Sequence, residues 1–203
     1  MPKPYVPNDK WSQRAAKEGY RARSVYKLIE IDLRYHLLAP GKRVLDIGAA
    51  PGSWLQYASE KIAPTGKVLG LDLKEIEPIA ENVVTRVVDV SDLDRVTEAI
   101  FSMEWDKVDL ILSDIAPNTS GVKDVDQWRS IELNQHIAAI AWKHLRARGT
   151  VVMKVFRGKD FDAFTHELKT KFSRLKVMSA AASRDRSREV YVVCSGPILA
   201  SGK

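Results

Sequence analysis

The chain has 203 residues and 22.8 kDa, with 45% apolar and 29% charged side chains, the balance of one domain able to bury its own core. No apolar run approaches the roughly 18 residues of a membrane span, and the single cysteine, Cys194, excludes an intrachain disulfide and a zinc cluster. The net charge of +6 is uneven: residues 1–43 carry +6, residues 44–142 carry −9 and residues 143–203 carry +9.

A fold that brings the two ends together makes a basic face beside an acidic pocket, and basic faces attract polyphosphates. Solvated lysines and arginines explain the charge alone equally well. The first residues, MPKPYVPNDKW, contain no apolar h-region, so no secretory leader is expected. A cytoplasmic, reducing location and a monomer are the expectation.

Residues 1–10, rich in proline and polar groups, read as a flexible arm ahead of a single domain over 11–203. Residues 11–38 read as helical up to the Pro40-Gly41 break, and 11–40 as a basic extension of that domain. Arg14, Lys17 and Arg21 share one helical face, and Arg23 and Lys27 share another at i and i+4, with Tyr20 and Tyr26 interleaved. Such a composition suits RNA, although an ordinary amphipathic surface helix has it too.

Strands then alternate with helices. RVLDIG (43–48), KVLGLDL (67–73), NVVTRVVDV (82–90), VDLILSD (108–114) and TVVMKVF (150–156) read as strands; 53–62, 92–103, 125–145 and 161–172 read as helices. RLKVMSA (174–180) and REVYVVCSG (188–196) follow each other without a helix and can pair antiparallel. The prediction is an α/β fold: a mostly parallel seven-stranded sheet, its last strand antiparallel, with helices on both faces. Ligands in such sheets bind beyond the carboxyl ends of the strands.

The first strand ends in Gly48-Ala49-Ala50-Pro51-Gly52. This is not the G-x-G-x-x-G of dinucleotide sites, and Pro51 lacks an N–H that a pyrophosphate cradle would use, so a nucleoside without a pyrophosphate fits better than a nicotinamide cofactor. A plain tight turn fits as well. Asp72 ends the second strand, where a carboxylate can accept both hydroxyls of a ribose. Asp89 ends the third, where one can accept an amino group. Asp114 ends the fourth. Lys154 lies inside the fifth, costly to bury without partners unless it snorkels out. Glu189 opens the last strand, after the arginine-rich SRDRSRE, where Arg186 and Arg188 can hold phosphates or face solvent. Trp128 and Trp142 on the long helix are expected in the core, and Tyr191 either there or against RNA. The four histidines show no triad or metal spacing, and no metal is expected.

GYRARSVYKLIEID, VLDIGAAPGSWLQY, LGLDL, LSDIAPNTSG, VVMKVFRG and SRDRSREVYVV, in this order and over about residues 11–195, resemble the FtsJ/RrmJ family of RNA ribose 2′-O-methyltransferases. The resemblance implies a Rossmann-like methyltransferase fold with S-adenosylmethionine as methyl donor. It implies a catalytic tetrad at Lys27, Asp114, Lys154 and Glu189, and donor contacts at Gly52, Trp54, Asp72, Asp89 and Asp114. Gly48, Ala49 and Pro51 of the same turn are further donor candidates. Ser53 stands where bacterial members often have glycine, a change of one small residue. RNA contacts are expected at Arg14, Lys17, Arg21, Arg23, Arg186 and Arg188. The usual target of bacterial members is a uridine of 23S, the large-subunit, ribosomal RNA. Ribose methylation of tRNA is the alternative within the class, and a non-catalytic ribosome-assembly protein the alternative outside it. A base N-methyltransferase would commonly show Asn- or Asp-Pro-Pro-aromatic where this chain has Asp114-Ile115-Ala116-Pro117.

Overall fold

A computed structural model describes residues 10–183 and 188–198. In chain order the elements are α1 (Lys10–Lys17), α2 (Val25–Tyr35), β1 (Arg43–Ile47), α3 (Ser53–Ile62), β2 (Lys67–Asp72), β3 (Val83–Val87), α4 (Leu93–Phe101), β4 (Val108–Ser113), α5 (Lys123–His144), β5 (Leu145–Phe156), α6 (Phe161–Lys171), β6 (Phe172–Met178) and β7 (Glu189–Pro197). The strands form one sheet in the order β3-β2-β1-β4-β5-β7-β6. Strands β1 to β5 pair in parallel, and β7 inserts antiparallel between β5 and β6. The mostly parallel α/β sheet predicted from the alternation is the one found. The chain steps outward through β1, β2 and β3, then returns to place β4 on the other side of β1. That reversal opens a crevice beyond the ends of β1 and β4.

Side chains alternate across a strand, so each strand feeds two cores. Leu45 and Ile47, Val151, Met153 and Val155, and Val190, Val192 and Cys194 pack with α4, α5 and α6 on one face. Val44, Leu110, Leu112, Val152, Tyr191 and Val193 pack with α1, α2 and α3 on the other. Counting in twos along β4, β5 and β7 puts Asp114, Lys154 and Glu189 on this second face, toward α2.

Two expectations need correction. The segment 11–38 is not one helix: α1 stops before Gly19, whose φ is +79°, and α2 restarts at Val25. Arg21 falls in the break, so Arg14, Lys17 and Arg21 do not form a helical stripe, and the i, i+4 pairing of Arg23 with Lys27 goes with it. The fifth strand starts at Leu145 directly after α5, with a register irregularity against β4 between Val108 and Leu110. The arm expected over 1–10 lies, but for Lys10 in α1, outside the described residues, as does Arg186.

Candidate active site

α2 is amphipathic, and its inner face carries Lys27 among Val25, Leu28 and Ile31. Lys27 and Lys154 are each 7% exposed, too buried for either ammonium to go without partners. Lys27 Nζ lies 2.5 Å from Glu189 Oε1 and 3.8 Å from Asp114 Oδ1. Lys154 Nζ lies 3.2 Å from Asp114 Oδ1 and donates to the Asp114 carbonyl. The four side chains, drawn from α2, the end of β4, β5 and the start of β7, therefore meet at one point. Two cations face two carboxylates, so the cluster is neutral.

Tyr191 sits opposite Lys154 in the β5–β7 register and donates its hydroxyl to Asp114 Oδ1 at 2.6 Å. Burial first, and then the charges of Asp114 and Glu189, push this phenol well above its ordinary value, so it remains a donor at neutral pH. Burial also acts to raise the Glu189 carboxyl, but the charge and hydrogen bond of Lys27, with Ser183 and Lys154, outweigh it and hold it below its ordinary value. Ser183 Oγ donates to Glu189 Oε1 at 2.7 Å.

Beside the cluster lies a cavity of about 680 Å³ whose wall includes Gly48, Asp72, Asp89, Asp114, Ile115 and Leu133. The Gly-rich turn forms its floor, and its N–H groups face β2. Gly48 and Ala49 donate to the Leu71 carbonyl at 2.8 and 3.1 Å, and Ala50 donates to Asp72 Oδ2 at 2.9 Å. Those donors are not free to cradle a pyrophosphate, as the missing fingerprint predicts. Gly48 has φ +75°, and a Cβ there would come within 2.8 Å of Ile115. Only glycine lets the β1 and β4 exits close over the cavity. Asp89 Oδ1 accepts from the Ser91 N–H and hydroxyl; that backbone hydrogen bond first, with the hydroxyl's, holds its carboxyl below the usual value.

Of the expected donor contacts, Gly48, Asp72, Asp89 and Asp114 line this cavity, whereas Ala49, Pro51, Gly52 and Trp54 are not on its wall. Trp54 is 3% exposed, with its ring 6.1 Å from Tyr191 and its indole N–H on the Ser24 carbonyl. Gly52 has φ +106°, a conformation that L side chains rarely adopt.

The basic residues divide. Arg21 donates to the carbonyls of Pro51, Glu77 and Pro78 at 3.1, 2.8 and 2.8 Å, clasping the N-terminal segment to the Gly-rich turn. Arg14 pairs with Glu18 and lies over the Tyr26 ring. Lys17 is exposed and Arg23 half-buried. Arg188 is exposed and donates to the Lys123 carbonyl at 2.8 Å. Trp128 and Trp142, expected in the core, are 54% and 41% exposed.

Residue-by-residue reading passed over Ser130 and Asn134 of α5, both buried. Asn134 Nδ2 donates to the Lys154 carbonyl at 2.8 Å, and Ser130 Oγ accepts the Phe156 N–H at 3.1 Å. The available signal was a polar i, i+4 pair on a helix that also carries a buried Ile131 and Ile137. Among the described residues, no helix is long and apolar enough to cross a membrane, and no cluster of three metal-ligating side chains is present.

The strand order, the Gly-rich turn and the carboxylates at successive strand ends define a Rossmann-like methyltransferase fold. The family model of FtsJ-like methyltransferases matches residues 20–197. Ribosomal RNA large subunit methyltransferase E of Syntrophobacter fumaroxidans is 43% identical over 190 residues, 93% of this chain and 95% of its own length. The protein of the same name from Azoarcus is 44% identical over 191 residues, 92% of this chain and 90% of its own. A ribosomal RNA methyltransferase structure from Plasmodium falciparum superposes with a TM-score of 0.79 at 31% identity, covering 88% of this chain and 98% of that one. The chain belongs to the FtsJ-like methyltransferase family.

Proposed function

We propose that the chain transfers the methyl group of S-adenosylmethionine to a ribose 2′-hydroxyl in large-subunit ribosomal RNA, at a uridine of 23S RNA. The reading is carried by the meeting of Lys27, Asp114, Lys154 and Glu189 beside the carboxylate-lined cavity. The names of the relatives support the choice of RNA.

The cavity's chemistry fits such a donor. Asp72 accepts one backbone N–H on each oxygen, and a carboxylate offers about four lone-pair sites, leaving two for ribose hydroxyls. Asp89 stands at the next strand end for an amino group, and Ile47, Leu71 and Ile115 supply apolar wall for a base. When bound, the donor supplies a methyl already activated on a sulfonium, so the chain's task is to position and deprotonate the acceptor.

Lys154 Nζ would orient the 2′-hydroxyl and, as the free amine, take its proton; a donor held in the cavity would supply the methyl, its sulfur–methyl bond breaking as the oxygen–methyl bond forms and the neutral thioether leaving. Asp114, held by Tyr191, fixes the Lys154 amine. Lys27 and Glu189 hold each other beside Asp114 and keep the acceptor side ordered. Positioning of this kind is worth several kcal/mol. Arg14, Lys17, Arg23 and Arg188 contact RNA phosphates, and the 11–40 segment acts as the RNA-facing part of one domain. The protein works as a monomer in the cytoplasm, without a metal.

Methyl-labelled donor incubated with unmodified large ribosomal subunits and, separately, with tRNA tests this reading, followed by nucleoside analysis. The expected product is 2′-O-methyluridine in large-subunit RNA. Label in tRNA alone, or on a base, overturns it.

A further inference from the structure

The outer face of α5 at its first two turns carries apolar side chains where a surface helix normally carries polar ones. Val122, just before the helix, is 57% exposed, Val125 39% and Trp128 54%. The inner face of the same turns is polar: Asp126 accepts from Ser120 and Gly121, and Gln127 and Ser130 are buried. Trp142 further along has its indole N–H on the Ile198 carbonyl. The Trp128 indole, among the described residues, makes no hydrogen bond or ring contact.

The turns that carry this face are fixed, from their inner side, to the strands that carry the tetrad. Gly158, four positions beyond Lys154, seats directly on Gln127, the residue before Trp128; a Cβ there would overlap the Gln127 side chain. Ser130 holds the Phe156 N–H. Arg188, next to Glu189, donates to the Lys123 carbonyl, and its own carbonyl accepts the Arg157 N–H at 2.9 Å. Exposed Lys123, Arg157 and Arg188 are thereby linked at the start of the helix that carries the patch, with the Arg157 guanidinium 5.5 Å from the Phe161 ring centroid and Asp124 as the exposed acid of the first turn. A bare indole on the helix whose first residue belongs to a cationic cluster is a combination that suits single-stranded RNA: arginines and lysine take phosphates, and the aromatic face takes a base of any sequence.

We propose that Trp128 is a stacking platform for an unpaired RNA base flanking the methylated nucleotide, with Lys123, Arg157 and Arg188 on the adjoining phosphates. The inference rests on the RNA reading above and adds to it the surface that holds the strand. Base–aromatic stacking is sequence-tolerant, so the platform fixes the strand's path and leaves the choice of nucleotide to other contacts.

The test is steady-state methyl transfer to unmodified large ribosomal subunits by the full chain and its Trp128→Ala, Trp128→Leu and Trp128→Phe variants, with donor affinity measured by calorimetry. Because the indole is exposed, the variants retain the fold, checked by thermal midpoint. Trp128→Ala is expected to raise KM for the subunit by roughly tenfold or more, with donor affinity within twofold of the original. Trp128→Leu, apolar but not aromatic, behaves like Ala; Trp128→Phe stays within about threefold of the original. A KM unchanged in Trp128→Ala, or restored equally by Leu and Phe, overturns the platform while the RNA reading stands. An original protein that methylates no RNA removes both.

Discussion

Asn134 donates its side-chain amide to the main-chain carbonyl of Lys154 at 2.8 Å, so the strand carrying the proposed base is fixed from the face opposite its amine. The same amide donates to the Ser130 carbonyl at 2.7 Å, and Ser130 accepts the Phe156 N–H. α5 is thereby bolted to β5 on both sides of Val155. Replacing Asn134 with Leu leaves a buried carbonyl without that donor, a loss of about 1–3 kcal/mol. Chemical denaturation of Asn134→Leu should show that loss. Its kcat should fall severalfold with donor affinity unchanged, because the displaced strand moves the Lys154 amine without altering the cavity wall.

Glu189 is the nearest partner of a buried Lys27. Glu189→Gln leaves that ammonium under-compensated, and a destabilisation of about 2 kcal/mol is expected at neutral pH after allowing for partial solvent access. The Glu189 carboxyl titrates below its ordinary value of 4.5 in the fold. Its contribution is thus complete above that ordinary value and fades as pH falls through the lower, folded one. Acid unfolding curves of the two proteins should converge at low pH and separate as pH rises. Parallel curves at all pH values contradict the ion pair.

Asp46 on β1 is 1% exposed, and its Oδ2 has no hydrogen-bond partner among the described residues. Burial first, then the charges of Asp114 and Asp72, push this carboxyl well above its ordinary 3.8. At a pH between the ordinary value and the raised one, the folded state holds a proton that the unfolded chain has released. Its stability contribution is fully present below the ordinary value and is lost as pH rises toward the folded one. Asp46→Asn removes this dependence. The thermal midpoint of the variant should gain on the original between pH 4.5 and pH 8; a gap that does not widen contradicts a raised carboxyl.

Much of the site is legible in the chain because strand geometry is rigid. Counting in twos from Leu110, Val152 and Val193 puts Asp114, Lys154 and Glu189 on one face, and the alternation of elements makes the sheet mostly parallel, whereas its strand order is supplied by the structure. Helical periodicity is less binding. A pattern can run through Gly19 at a cost near 1 kcal/mol, and the break there accompanies Arg21 reaching three distant carbonyls. Trp128 was misplaced for a related reason. The inner face of α5 carries Gln127, Ser130 and Asn134 to serve β5 and its exit, so its first turns put polar groups inside and apolar groups outside. Trp54 stands within the Gly-rich motif, and its contacts with the Ser24 carbonyl and the Tyr191 ring are ones only three-dimensional neighbours supply.

The proposed transfer turns on the Lys154 amine taking the acceptor's proton. It is tested most directly by single-turnover methyl transfer to unmodified large ribosomal subunits with Lys154→Ala and Lys154→Arg, donor binding being followed by calorimetry. Guanidinium keeps the charge beside Asp114 but cannot give up a proton. Both variants should bind donor nearly as the original does and transfer methyl at least about a thousandfold more slowly, in the range of a lost general base with its positioning. Transfer by Lys154→Arg at close to the original rate would contradict the account, because a fixed cation would then suffice.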